Sequence, residues 1–227
     1  MNAFTIFGGR QSYYTNPQTN ERQRGIFLSK SIQGYYHADY HGGNQEQRNT
    51  IGTVEYIITT LKNQFKDKSE DVLILAEKDL MAILNQDLPQ VLRNTGKGEF
   101  MVCVIPRSKV EKNYLPTQLV FKKAIKGCIT KLNGFMDGTD YVFRHTDTRT
   151  THLNKSGYGG NGNLPYPGIT KETCKLSEKI TGKDVLLIDD LYTEGVNIDE
   201  DAIQALLDKG ANSVVFYSLG KTIKKII

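Results

Sequence analysis

The chain has 227 residues, of which 38% are hydrophobic, 24% charged and 9% aromatic, with no Trp, a composition that excludes collagen-like, mucin-like and long disordered chains. No apolar run approaches the roughly 20 residues that cross a bilayer, and the start MNAFTIFGGRQSYY lacks a signal-peptide pattern. The three Cys (Cys103, Cys128, Cys174) are widely spaced and form no CxxC, so a cytoplasmic protein with no disulfides and no membrane attachment is expected.

The net charge of +4 is unevenly spread: residues 1–95 hold 10 Lys/Arg against 10 Asp/Glu, residues 96–183 hold 15 against 7, and residues 184–227 hold 4 against 8. A basic middle followed by an acidic end implies either that the middle handles an anion or that it carries a solvated basic face.

In chain order, Phe4–Phe7 reads as a short strand and Gln11–Arg24 as a polar loop. The aromatic and His-rich cluster Tyr35 to Tyr40 runs into a turn at Gly42-Gly43. His37 and His41 would share a face only on a helix, which the two glycines disfavour. Tyr35, Tyr36, His37 and Tyr40 are read either as core or as a surface for a partner or base. Val54–Phe65 has helical spacing, Val72–Leu75 reads as a short buried strand, and Lys78–Leu92 is helical again.

From residue 100 the pattern is regular. The continuous apolar run Phe100–Ile105 fits a central parallel strand, and Pro106 stops it. Gln118–Leu132 is an amphipathic helix and Tyr141–Arg144 a second strand. The stretch Thr146–Gly168 is rich in Gly, Thr, Asn and Pro and has no apolar period, as expected of a long functional loop. Asp184–Ile188 is a strand, Ile198–Leu207 a helix closed by Gly210, and Ser213–Leu219 a strand. This alternation predicts an α/β fold, a mostly parallel twisted sheet flanked by helices. Residues 96–227 would form the core and residues 1–95 an N-terminal elaboration or hood packing on it, covering a sheet edge or shaping a pocket.

The segment from Val185 to Asn197 carries the most chemistry. An apolar strand delivers Asp189 and Asp190 at its carboxyl end, where open α/β sheets bind ligands. A short Gly-containing loop then enters a helix, whose unpaired N–H groups can receive a phosphate. Read alone, the acids fit a turn with helix-capping residues; beside a phosphate cradle they can grip the hydroxyls of a phosphorylated sugar.

The segment resembles the phosphoribosyl-pyrophosphate signature of the type I phosphoribosyltransferases, close to the ComF-like and amidophosphoribosyltransferase-related branch. The resemblance spans about residues 100–220 and implies that fold. It places the ribose hydroxyls on Asp189 and Asp190, with magnesium held indirectly through them, and the 5′-phosphate on the loop Thr193, Glu194, Gly195, Val196 and Asn197. Met101 to Lys109 resembles the pyrophosphate strand and loop, with Arg107, Ser108 and Lys109 toward the diphosphate; otherwise it is a surface turn. Tyr141 to Leu153 matches the branch loosely at Arg144 and Thr148. Arg149 and Lys155 would face the leaving group, and residues 146–168 would close over it as a hood.

The implied activity is transfer of phosphoribosyl from phosphoribosyl pyrophosphate to a nitrogen acceptor, with Mg2+ and release of pyrophosphate, in a protein that forms homodimers. Two departures stand out. Glu194 puts a negative charge beside the supposed phosphate, and Asn197 replaces the usual Thr, where it is expected to cap the following helix. Asp199, Glu200 and Asp201 would suit the helix dipole but oppose a bound anion. A nucleotide-sensing or partner-binding protein of the same fold is the alternative, as is a nucleotide-consuming effector of a bacterial defence or toxin module. A nucleic-acid or protein partner would then engage residues 1–95.

Overall fold

The structure is a computed structural model that describes residues 1–16, 19, 21–42, 44–148 and 168–223. The chain opens with β1 (Asn2–Ile6), the hairpin β2 (Gln11–Thr15) and β3 (Arg22–Ile26), and the long strand β4 (Ile32–Tyr40). Three helices follow: α1 (Gln45–Asn49), α2 (Val54–Lys62) and α3 (Glu70–Thr95). Then come β5 (Phe100–Val104), α4 (Val120–Ile129), β6 (Phe135–Asp137), β7 (Val142–Arg144) and β8 (Cys174–Leu176). The chain ends on β9 (Asp184–Tyr192), α5 (Ile198–Asp208) and β10 (Ser213–Thr222).

Six strands form one mixed sheet in the order β1-β4-β10-β9-β5-β6. All neighbours are parallel except β1, which runs antiparallel to β4. Side-chain alternation divides the core into two layers. Phe100, Val102 and Val104 of β5 face α2, α3 and α4, whereas Met101 and Cys103 face α5. The expected α/β sheet flanked by helices is thus present. All three Cys are buried free thiols, and no described helix is long and apolar enough to cross a membrane.

Several local expectations change. The polar stretch 11–24 is not a loop but most of the β2–β3 ribbon. Val72–Leu75 is not a strand: it lies in the first turns of α3, whose Leu73, Ala76, Leu80, Leu84, Leu88 and Val91 make one buried helical stripe. Tyr141–Arg144 does yield a strand, but β7 pairs with β8 in a separate ribbon rather than joining the main sheet. The boundary at residues 95/96 does not divide the sheet. β4 lies alongside β10 from Phe216↔Gly34 to Thr222↔Tyr40, so the N-terminal part covers that edge by extending the sheet with β4 and β1.

The connections fix where a ligand can sit. The chain leaves β5 through α4 toward β6 on one side, and leaves β9 through α5 toward β10 on the other. Crossovers of one hand running in opposite directions put their helices on opposite faces, as α4 and α5 are here. The winding reverses between β5 and β9, and a crevice opens beyond their carboxyl ends.

Candidate functional site at the reversal between β5 and β9

A cavity of about 440 Å³ occupies that crevice. Its lining includes Arg107, Ser108 and Lys109 from the loop after β5, and Asp189, Asp190, Thr193 and Val196 from the end of β9 and its loop. The two segments singled out in the sequence therefore share one cavity. Glu194, Gly195 and Asn197 are not among its lining residues.

Asp189 and Asp190 belong to β9 itself, which runs four residues beyond the expected Ile188. The Asp189 carboxylate accepts the Asp190 N–H at 2.8 Å. Burial, and then the charge of Asp190, push the Asp189 carboxyl up to about 7, against the pull of Lys62. Asp190 pairs with the Lys62 ammonium at 2.9 Å. Burial and the neighbouring Asp189 also raise Asp199, in the first turn of α5, well above the usual carboxylate range. Glu200 and Asp201 are raised as well, first by burial. Glu200 accepts from the Tyr192 hydroxyl at 2.9 Å and Asp201 from the Ile169 N–H at 2.9 Å. The acidic turn is therefore not a solvated carboxylate patch facing an incoming anion.

Glu194 turns outward. Its side chain is 54% exposed and lies 3.8 Å from the Arg10 guanidinium. Asn197 adopts the left-handed conformation (φ 68°), which Asn tolerates and a β-branched Thr resists. Its side chain makes no capping bond, contrary to expectation, and its buried Nδ2 has no partner among the described residues. The Thr193 hydroxyl is 2.6 Å from that of Thr222.

The loop after β5 is braced from outside. Arg107 Nη1 donates to the carbonyls of Lys62 (2.8 Å) and Gln118 (2.7 Å), Nη2 donates to Gln64 Oε1 (3.1 Å), and the guanidinium stacks on Tyr114. The Tyr114 hydroxyl accepts the Lys109 N–H at 3.0 Å. Arg144, buried and with its basicity lowered by desolvation, donates to the carbonyls of Arg107 (2.6 Å) and Gly168 (2.8 Å). Thr148 N–H donates to the Ser108 carbonyl at 2.7 Å. Arg107 and Arg144 thus shape the loop, while Ser108 and Lys109 lie in the cavity wall beside it. Arg149, Lys155 and nearly all of the expected hood lie outside the described residues.

Sequence reasoning missed Lys62, the last residue of α2. Desolvation lowers its basicity, but the charges of Asp190 and then Asp189 prevail and hold it above its ordinary range. The only sequence signal was a Lys ending an amphipathic helix, which describes most surface helices. The aromatic cluster is core: Tyr35 and Tyr40 are buried in β4, and Tyr36 stacks edge-on against Phe4. His37 binds Asp87 at 2.9 Å and His41 faces Glu55 at 3.4 Å.

Among the described residues no three His, Cys, Asp or Glu side chains group as metal ligands. Asp189 and Asp190, expected to hold magnesium indirectly, lie side by side in the cavity wall, Asp190 paired with Lys62. Compared with protein-family models and with curated proteins, the chain finds no match.

Proposed function

We propose that the chain is a phosphoribosyltransferase of the type I fold, transferring phosphoribosyl from phosphoribosyl pyrophosphate to a nitrogen acceptor with release of pyrophosphate. The observation that carries this reading is the meeting of the Asp189–Asp190 pair and the Arg107–Lys109 loop across one cavity where the winding reverses. The outward turn of Glu194 supports it, because the departure from the signature then adds no charge to the cavity. In this reading the acid pair accepts the ribose hydroxyls, Thr193 and its loop hold the 5′-phosphate, and Ser108 and Lys109 meet the diphosphate. Catalysis comes from placement and from cations around the leaving group, with no protein nucleophile.

Calorimetry with phosphoribosyl pyrophosphate, with and without magnesium, tests the reading. The parent protein is expected to bind, and Asp189→Asn with Asp190→Asn to lose at least about tenfold in affinity, the scale of one charge-assisted hydrogen bond. Binding that survives both substitutions overturns the site. Release of pyrophosphate across a panel of bases and amines then reads turnover.

A second reading, a nucleotide-sensing protein of the same fold, is favoured by the internal partners of the anchors. Arg107 is occupied by carbonyls and Asp190 by Lys62. Binding with no pyrophosphate released over that panel decides for it.

A further inference from the structure

Lys62 joins the two halves of the site. Its carbonyl is held by Arg107 of the loop after β5 at 2.8 Å, and its ammonium by Asp190 of β9 at 2.9 Å. The backbone stops at this point because Asn63 turns left-handed (φ 38°), is buried, and gives its carbonyl to Gln118 Nε2 at 3.1 Å. The main chain of Lys62 is therefore fixed at the cavity wall, while its side chain, a flexible four-carbon stem, remains 34% exposed.

Besides Lys109 of the loop after β5 and Arg48 of α1, three other described cations line the wall, each engaged away from the acid pair. Arg107 is tied to three acceptors, Arg144 is buried on two carbonyls, and Lys122 pairs with Glu111 and Asp140. Among the described residues only Lys62 makes an ion pair with the acid pair.

We propose that Lys62 is a diphosphate-binding residue, held in the free protein on Asp190 and released to the diphosphate when a ribose hydroxyl takes its place on that carboxylate. The proposal rests on the phosphoribosyl pyrophosphate reading. The exchange is balanced in hydrogen bonds: the sugar O–H donates to Asp190, and the N–H of Lys62 that Asp190 gave up donates to a diphosphate oxygen. Lys62 keeps its proton throughout. The arrangement leaves neither the carboxylate nor the ammonium unpaired before or after binding, which matters in a partly desolvated cavity. It also makes the two halves of the ligand help each other, since each removes one partner of an ion pair that the other would have to break.

Calorimetry with magnesium pyrophosphate and with ribose 5-phosphate as separate probes tests this on the full chain. In the parent, ribose 5-phosphate is expected to tighten pyrophosphate binding severalfold, and the reverse to the same degree. Lys62→Gln is expected to weaken pyrophosphate about ten- to hundredfold, to leave ribose 5-phosphate unchanged or tighter, and to abolish the coupling. Lys62→Arg should restore most of the pyrophosphate affinity.

Equal weakening of both probes by Lys62→Gln marks a merely structural residue and overturns the proposal, as does no weakening at all. If Lys62→Gln does not melt cooperatively, the coupling in the parent decides, and independent or antagonistic binding there overturns the proposal. A parent that binds neither probe overturns the underlying reading and this inference with it. A parent that binds both, with Lys62→Gln unchanged, overturns this inference alone.

Discussion

Asp201 accepts the Ile169 N–H at 2.9 Å from the first turn of α5, and burial pushes its carboxyl up from 3.8 to about 7 despite that bond and the nearby Arg144. The unfolded chain loses this proton near pH 4 and the folded chain only near 7. Between those values the folded state binds more protons, so this group's contribution to stability is full below pH 4, falls as pH rises, and is gone above about 7. Asp189, Asp199 and Glu200 are shifted in the same direction and steepen the fall. Asp201→Asn keeps a carbonyl acceptor for Ile169 and removes the ionisation. It is expected to be more stable than the parent at pH 8, by about 1–3 kcal/mol, and equal to it near pH 4. Urea unfolding at the two pH values checks this, and an equal gain at both would point to packing instead. None of this was legible in the sequence, where Asp199, Glu200 and Asp201 look like helix-dipole partners. Burial set by the fold decides their charge.

Helix α3 is fastened to the sheet by a buried polar contact as well as by its leucines. Tyr217 of β10 donates to Asp87 Oδ2 at 2.8 Å, and His37 Nδ1 of β4 lies 2.9 Å from the same oxygen. Asp87 is fully buried, and its other oxygen has no partner among the described residues. Tyr217→Phe therefore removes one of few donors from a buried carboxylate. A loss of about 2–3 kcal/mol is expected by chemical denaturation, more than a typical hydroxyl deletion; a loss under about 0.5 kcal/mol would show that the contact carries little stability.

The same elements show what pattern can and cannot reveal. Six buried positions at helical spacing define α3, yet its four-residue apolar run at Val72–Leu75 is indistinguishable from a short buried strand without its neighbours. The β2–β3 ribbon is a separate two-stranded sheet in which no position of β3 is fully buried, so its residues stay polar and it reads as a loop. In contrast β5 and β9, covered on both faces, read directly as continuous apolar runs.

At the scale of the whole molecule, the acid pair and the loop after β5 were legible because each follows an apolar run in sequence. Lys62 was not, because it reaches the same cavity only through the path that β4, α1 and α2 take over the sheet. That path makes the first 95 residues integral to the fold. β4 satisfies the outer edge of β10 from Phe216 to Thr222, and Tyr35, Tyr40, Ile57, Ile58, Leu61, Leu80, Leu84 and Leu88 form much of one core layer. A fragment of residues 96–227 would expose both that edge and the apolar face of β5, β9 and β10, a surface that drives aggregation. It is therefore expected to show no cooperative melting transition and to bind a hydrophobic dye, whereas the full chain melts cooperatively. A fragment that melts sharply and binds phosphoribosyl pyrophosphate like the parent would show instead that residues 96–227 stand alone. Such a fragment lacks Lys62, so it would also show that the cation from α2 is dispensable. Fold and site are joined at that residue, and the truncation tests both.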